Sequence, residues 1–380
     1  MAEQTKVLIL GGTGHFGARI CRRLANYPDI DIDLVITSRS QANAESLADK
    51  LRCKNPEATI SGIAMDQNSL DFVADLKKLA PFALIHTAGP YQGQDYRVAN
   101  ACIEVGSHYI DLADSREFVA DFSSLDDPAR RADVLLVSGA STLPALSSAV
   151  VDVLKPKFSR VSAIEISIAP GHQTPRGRST AAAILSYCGK PFKTLRDGEW
   201  RTVYGWQDMR IQKYPALGSR ISGACDVPDL SLLPEYIPGV KTVSFHAALE
   251  APWEQLALWF MAWMSRVRIV NDWSKYAPFF AALSERLISF GSDRGGMHVR
   301  VSGDSKDGRA ASHNWYLTAE HNHGPEIPCT PAIVLLKKLL RNEIPQRGAT
   351  PCLGLLSLAE ILNELSDFAI SSEISIEANN

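Results

Sequence analysis

Apolar and polar positions in the first half of the chain alternate between short runs apolar on both faces and longer amphipathic stretches. Lys6 to Leu10 reads as a strand buried on both sides, and Phe16, Ile20 and Leu24 follow at helical spacing. The same pairing recurs. Strands are predicted over 32–37, 59–64, 82–87, 108–112 and 134–138. Helices are predicted over 41–52, from Asn68 with Leu70, Phe72, Val73, Leu76 and Leu79 inward, over 94–105 with Gly106 as C-cap, and near 116–125. Pro144 is placed to open one more helix at its first turn, with Leu146, Val150, Val153 and Leu154 inward. Strands alternating with helices in this way predict an α/β fold, a doubly wound parallel sheet of Rossmann type covered on both faces.

The period changes after Lys155. Ile164, Ile166 and Ile168 alternate with Glu165 and Ser167, a half-exposed strand of antiparallel type. Asp197-Gly198 and the stretch Asp304 to Gly308 read as hairpin turns, the second joining 297–301 to 315–319. Val243, Phe245, Ala247 and Leu249 supply a further strand, and a loop over 171–180, a helix over 181–187 and a Trp-rich helix lie between these strands. From Pro331 the pattern is helical again, and once more over 355–368. The expected organisation is a nucleotide-binding domain of residues 1–145 plus 330–380, its C-terminal helices packing back on it. Residues 146–329 would form a second, α+β substrate domain with a mixed or antiparallel sheet.

A length of 380 residues accommodates two such domains. The net charge of -3, with no dense basic run, gives no electrostatic ground for nucleic acid. Seven scattered cysteines without a C-x-x-C indicate neither a zinc ribbon nor a disulfide framework, so a reducing, cytoplasmic setting is expected. A first strand that begins at Lys6 leaves no room for a removable signal peptide. The most apolar later stretch, Leu256 to Met264, falls far short of the roughly 20 residues of a membrane span. Trp253, Trp259 and Trp263 crowd it, with Arg266 and Arg268 behind. One reading is a helix buried against the core or in a subunit interface; the other is a peripheral contact with a membrane surface or an apolar substrate.

The strand-to-helix junction at the start carries the first chemical signal. Gly12, Gly14 and Gly17 stand in the spacing G-x-G-x-x-G, interleaved with Thr13, His15 and Phe16. The first glycine allows a tight turn, the second lets a pyrophosphate approach the backbone, and the third lets helix and strand pack closely. The helix N-terminus then offers free N–H groups to the phosphates. The second strand ends in Ser38-Arg39-Ser40 with no acid to accept ribose hydroxyls. An arginine between two hydroxyls favours the 2′-phosphate of NADP over NAD. Asp66 ends the third strand, suited either to an adenine amino group or to capping the next helix. Thr87, Ala88, Gly89 and Pro90 follow the fourth strand as small residues beside which a nicotinamide ribose can pass.

Several runs together resemble the saccharopine dehydrogenase-like family of NADP-dependent oxidoreductases. They are GGTGHFG at 11–17, TSRS at 37–40, AGPY at 88–91 followed by ACIEVGSHYIDL ending at Leu112, SGASTLPALSSAVVDVL from Ser138, PRGRST at 175–180 and HGPEIPCTPAI near Pro325. The resemblance implies an N-terminal nucleotide domain, a mixed-sheet substrate domain and often a homodimer. It also implies hydride transfer at C–N bonds of amino-acid adducts or at C=C bonds of lipids, without singling out one reaction. The chain departs from the family pattern over 111–117, DLADSRE, where related sequences commonly read D-L-[ST]-G-E.

Candidate catalytic groups are those placed near the expected nicotinamide. Tyr91 directly follows the cofactor loop and suits either proton donation or packing beneath that loop. Asp111 ends a strand on the same sheet edge, as a base, an amine-binding group or a helix cap. Arg176 and Arg178 lie in a Gly/Pro loop suited to clamping a carboxylate, the alternative being solvated charge. His172 and His246 are weaker candidates. His321 and His323 offer two metal ligands without a third, so no metal is expected. No Tyr is followed four residues later by Lys, and neither H-E-x-x-H nor G-x-S-x-G occurs. The expectation is an NADP-dependent oxidoreductase acting on a C=N or C–N bond, or a related carbonyl or C=C bond, of a small carboxylate-bearing substrate. The rivals are a non-catalytic NADP-binding sensor or scaffold and an enoyl-reductase-like enzyme acting on lipid at a membrane surface.

Overall fold

A computed structural model describes residues 4–27, 31–174 and 178–377. The first half of the chain runs β1 (Thr5–Leu10), α1 (Gly17–Ala25), β2 (Ile32–Ser38), α2 (Gln41–Lys54), β3 (Thr59–Ala64), α3 (Phe72–Leu79), β4 (Ala83–His86), α4 (Arg97–Val105), β5 (His108–Asp111), the short helices α5 (Arg116–Ala120) and α6 (Asp126–Arg131), and β6 (Leu135–Ser138). The remainder runs α7 (Ser147–Leu154), β7 (Phe158–Ala169), α8 (Arg178–Ser186), β8 (Pro191–Arg196), β9 (Glu199–Tyr204), β10 (Arg210–Tyr214), β11 (Gly218–Ala224), α9 (Asp229–Tyr236) and β12 (Thr242–Ala248). It continues through α10 (Pro252–Arg266), α11 (Ala277–Leu287), β13 (Gly295–Ser305), β14 (Ala310–Ala319), α12 (Thr330–Leu340), β15 (Gly348–Pro351), α13 (Leu358–Glu364) and β16 (Ile370–Glu377). Two compact units result, one of residues 1–114, 118–145 and 326–356, the other of 115–117, 146–325 and 357–380.

The first unit is built on a seven-stranded sheet in the order β15-β6-β5-β4-β1-β2-β3. Every pairing in it is parallel. Helical crossovers cover both faces of such a sheet, which is why its strands read as unbroken apolar runs: Val7, Leu8, Ile9, Ile36, Leu84 and Ile85 have no exposed surface. The chain turns from one side of the sheet to the other between β1 and β4, and the carboxyl ends of those strands border the crevice where doubly wound sheets bind ligands.

The second unit holds a mixed sheet in the order β10-β11-β12-β7-β13-β14-β16, with β8 and β9 as a hairpin beside β12. Among the described strands only β7 and β12 run parallel; the other pairs are antiparallel. The period of two divides its faces. Ile164, Ile166, Val243, Phe245, Val299, Trp315 and Leu317 are buried on one face, while Glu165, Ser167, Ser244, His246, His298, Arg300 and Asn314 alternate with them.

Several expectations are corrected. Helix α3 begins at Phe72 rather than Asn68, so Leu70 is fully exposed in the turn before it instead of buried. Pro144 follows an extended Leu143 and begins a π-type turn that runs without a break into α7 at Ser147, as expected of a helix-opening proline, but Val153 is exposed rather than inward. The last helix spans only α13, set by a capping box between Ser357 and Glu360. Residues 330–380 do not all pack on the first unit. Helix α12 and β15 do, but β16 pairs along β14, so residues 357–380 belong to the second unit. The Trp-rich helix, α10, buries Gln255, Leu258, Met261 and Ala262, so one of its faces packs on its unit as expected, but Trp253, Trp259 and Trp263 lie outside that face and are exposed.

Candidate functional site

The first site is the turn between β1 and α1. Gly11 adopts a left-handed conformation (φ +78), which an L side chain resists. A Cβ on Gly17 would lie 2.4 Å from the Gly11 carbonyl and 2.6 Å from Thr87 Oγ1, so the helix start touches both strand ends. On Gly12 it would lie 2.8 Å from Ile36. The turn is held by Gly14 N–H donating to the Gly11 carbonyl (2.9 Å) and Ala18 N–H to the Gly14 carbonyl (2.9 Å). The N–H groups of His15, Phe16 and Gly17 have no main-chain acceptor among the described residues, and no side chain caps α1. Unpartnered N–H groups beside a cradle that excludes Cβ atoms suit a pyrophosphate, the cofactor feature expected of Gly12, Thr13, Gly14, His15, Phe16 and Gly17.

The other cofactor candidates fall on neighbouring strand ends of the same sheet. Arg39 is exposed after β2 and has no ion pair among the described residues, so its guanidinium is free to meet phosphate. Ser40 instead caps α2, its hydroxyl accepting from Asn43 N–H at 3.4 Å, and Ser38 Oγ accepts from Ser40 N–H. Asp66 stays exposed and accepts from Asn68 N–H (3.0 Å) in its own turn, not as the cap of α3. Thr87 Oγ1 donates to the Leu10 carbonyl (2.8 Å) and bonds the Gly11 carbonyl as well, tying the glycine turn to the loop Ala88-Gly89-Pro90. That loop is braced by a residue the sequence did not single out: Gln94 Nε2 donates to the Ala88 (3.0 Å) and Pro90 (2.7 Å) carbonyls.

The turn also has a support from the far end of the chain. Arg19 Nε stands 3.0 Å from Glu326 Oε1, Arg23 donates to Thr330 Oγ1 at 2.8 Å, and the Cys329 thiol contacts the Phe16 carbonyl. Burial, with the charges of Arg19 and Arg22 adding to it, pushes the pKa of His15 down to about 4, so its ring is neutral near pH 7. Spacing alone carried no sign of these contacts, although Glu326 and Cys329 lie in the HGPEIPCTPAI run.

Tyr91 and Asp111 lie on the strand ends near the loop Ala88-Gly89-Pro90. Tyr91 is buried, and its hydroxyl donates to the His86 carbonyl at 2.6 Å; burial raises its pKa well above the usual phenol value. That placement supports packing beneath the loop over proton donation. His86 bonds Tyr109 through Nδ1 and burial holds its pKa down to about 3, a neutral ring. Asp111 has no exposed surface. One oxygen accepts from Ala113 N–H (2.9 Å), Gly139 N–H (2.8 Å) and Ser138 Oγ (3.0 Å), while the other has no partner among the described residues. Burial raises its pKa to about 6. It therefore does not cap α5 but locks the ends of β5 and β6 together. Within the divergent run 111–117, Arg116 belongs to the second unit, paired with Asp226 at 3.0 Å.

In the second unit the polar sheet face borders a cavity of about 250 Å³. Arg210 reaches it beside Glu165 (3.1 Å), and Arg300 bonds Ser312 Oγ. His298 bonds Asn314 Oδ1 at 2.9 Å. Ser244 Oγ and Asn314 Nδ2 are buried along it without a partner among the described residues. His246 contributes from β12, facing Asp208 at 3.3 Å. Arg176 lies outside the described residues, and Arg178 is described only as the first residue of α8. His172 is a structural residue, its ring between Glu254 (3.2 Å) and the Leu287 carbonyl (2.7 Å). His323 accepts from Ala369 N–H, and His321 faces Asp293.

Residues 7–150 match the family described as saccharopine dehydrogenase NADP binding domain. No curated protein matches the sequence. Among solved structures, saccharopine dehydrogenase (L-Glu forming) from Saccharomyces cerevisiae is similar over 99% of this chain and 100% of its own, with a TM-score of 0.69 and 14% identity. The amine dehydrogenase of Mycobacterium smegmatis is similar over 92% of this chain and 95% of its own, with a TM-score of 0.48 and 10% identity.

Proposed function

Residues 7–150 are a saccharopine dehydrogenase-type NADP-binding domain, and from that premise we propose that the chain is an oxidoreductase acting on a C–N or C=N bond of a small carboxylate-bearing molecule. NADP supplies the hydride or accepts it at its nicotinamide. The residues of this chain bind and orient. The open N–H groups of His15, Phe16 and Gly17 receive the pyrophosphate, and Arg39 receives the 2′-phosphate. The loop Thr87 to Pro90, braced by Gln94, borders the nicotinamide ribose. The single observation that carries the reading is the Gly11–Gly17 cradle, where a Cβ on Gly17 would strike the Gly11 carbonyl.

Carboxylate recognition is assigned to the second unit. Arg210 and Arg300 beside a cavity with unpartnered Ser244 and Asn314 support it, and Arg176 and Arg178 are further cations for the same task. The free outer edge of β16 supports assembly as a homodimer. The test is a fluorescence titration with NADPH and NADH, followed by NADPH oxidation against a panel of 2-oxo acids combined with amino acids. Tighter NADPH binding and turnover with at least one pair are expected; binding of neither cofactor would overturn the assignment. One observation favours a second reading, a binding module without turnover: the Tyr91 hydroxyl is committed to the His86 carbonyl. It is the outcome if NADPH binds and no pair is reduced.

A further inference from the structure

The outward face of α10 is more apolar than its inward one. Trp253, Leu256, Trp259, Phe260 and Trp263 stand exposed there, Trp253 and Phe260 by about half of their surfaces (50% and 53%). Further along the chain, Phe279 of α11 is 64% exposed and Phe290 74%. Trp273 Nε1 donates to the Met261 carbonyl at 3.0 Å, which anchors the turn before α11 to α10. An exposed aromatic surface of this extent marks a contact with something outside the unit.

We propose that this face docks the protein onto an anionic lipid bilayer surface. The charge around it selects the occupant. Arg268, Lys275 and Arg286 are exposed along residues 252–290, and Arg266, also exposed, lies over the Tyr204 ring and donates to Gln207; of the carboxylates there, Glu254 and Asp272 are not exposed, and the side chain of Glu285 lies outside the described ones. Glu254 turns inward to His172, and Asp272 accepts from Ser274. Tryptophan rings with arginine and lysine at their margin match the depth profile of a bilayer, where indoles lie at headgroup level and cations meet acidic lipid.

The experiment uses the full chain with vesicles of phosphatidylcholine alone and of equal parts phosphatidylcholine and phosphatidylserine. Sedimentation with the acidic vesicles, weakened by salt, is expected. The double substitution Trp259→Ser with Phe260→Ser should lower binding on the order of tenfold. Arg268→Glu with Lys275→Glu should lower binding to acidic vesicles while leaving every aromatic in place. Retained NADPH binding reports that each variant is folded. A measurement free of substitution is quenching of tryptophan emission by lipids brominated along their chains, expected for the wild type. Absence of sedimentation and quenching overturns the proposal. So does binding that both double variants retain, or a wild-type dimer that the Trp259/Phe260 variant converts to monomer.

Discussion

Arg19 Nε and Glu326 Oε1 lie 3.0 Å apart, an ion pair joining the helix of the glycine turn to a segment 307 residues later. Both side chains are mostly buried (18% and 14% exposed), and Arg23 approaches the same carboxylate at 3.9 Å. Glu326→Gln leaves two arginines facing each other without a counter-charge. Because residual exposure screens the pair, the expected loss is about 1–2 kcal/mol of stability, less than for a fully dry pair. Urea unfolding at low and high salt checks it: the deficit should shrink as salt rises. An unchanged midpoint would show the pair to be incidental.

Gly17→Ala tests the cradle. The added methyl would meet backbone on one side, the Gly11 carbonyl, and Thr87 Oγ1 on the other, so neither neighbour is a flexible side-chain end. Overpacking of this kind costs about 1–3 kcal/mol and widens the turn. NADPH affinity should fall on the order of tenfold or more, because N–H groups must hold their aim within a fraction of an ångström. A titration on the folded variant reads it; wild-type affinity would show that the turn does not cradle the cofactor.

The role proposed for Arg39 is to choose between cofactors by charge. Exposed and without an ion pair among the described residues, it is available to phosphate. Arg39→Asp replaces attraction for the 2′-phosphate by repulsion and supplies an acceptor for ribose hydroxyls. NADPH binding should weaken on the order of tenfold to a hundredfold, about 1.4–2.8 kcal/mol, while NADH binding holds or improves. Equal weakening of both would place the arginine outside the ribose site.

The parallel sheet was readable because both of its faces are buried: each strand became an apolar run and each crossover an amphipathic stretch. The glycine turn was readable because its backbone demands particular residues. Errors arose where a side chain or distant segment overrode local pattern. Leu70 has helical spacing, yet Asp66 and Ser69 accept from Asn68 and Asp71 N–H groups in successive turns and delay α3 to Phe72. The helical run after residue 330 hid β15 and a change of unit, because strand β16 gains its partner only from β14. Gln94 braces the loop 88–90 and Glu326 the helix of the glycine turn, and polar residues in that role carry no periodicity. The tryptophans of α10 show the limit of hydrophobicity as a guide to burial, since they occupy the face pointing away from the unit.

Thiol chemistry gives an independent check of packing. Cys53 is exposed, whereas Cys21, Cys102, Cys188, Cys225, Cys329 and Cys352 are buried, none of them in a disulfide. Burial raises the thiol pKa of each of the six, so they carry little thiolate at neutral pH. A disulfide-exchange reagent should titrate Cys53 rapidly in the native protein and reach all seven after unfolding. Cys53→Ser should abolish the fast phase. A fast phase that persists would show one of the buried sites to be open in solution.

Asp229 sets the expected response to pH. It opens α9 with no exposed surface; one oxygen accepts from the Ser147 hydroxyl, and the other has no partner among the described residues. Burial pushes its pKa up to about 7. The unfolded chain loses this proton near pH 4, the folded chain only near pH 7, so across that window the folded state binds the extra proton. Stability from this group is therefore full below about pH 4 and declines as pH rises to about 7, by an amount on the order of 1–3 kcal/mol. Asp111, with its pKa raised to about 6, adds a decline of the same sign that ends about one pH unit lower. Asp229→Asn keeps an acceptor for Ser147 and removes the ionisation. The variant should lose less stability than the wild type between pH 5 and pH 8 and gain on it above about pH 7, measured as unfolding free energy in urea at each pH. Parallel pH profiles would show that Asp229 is ionised in the folded protein throughout.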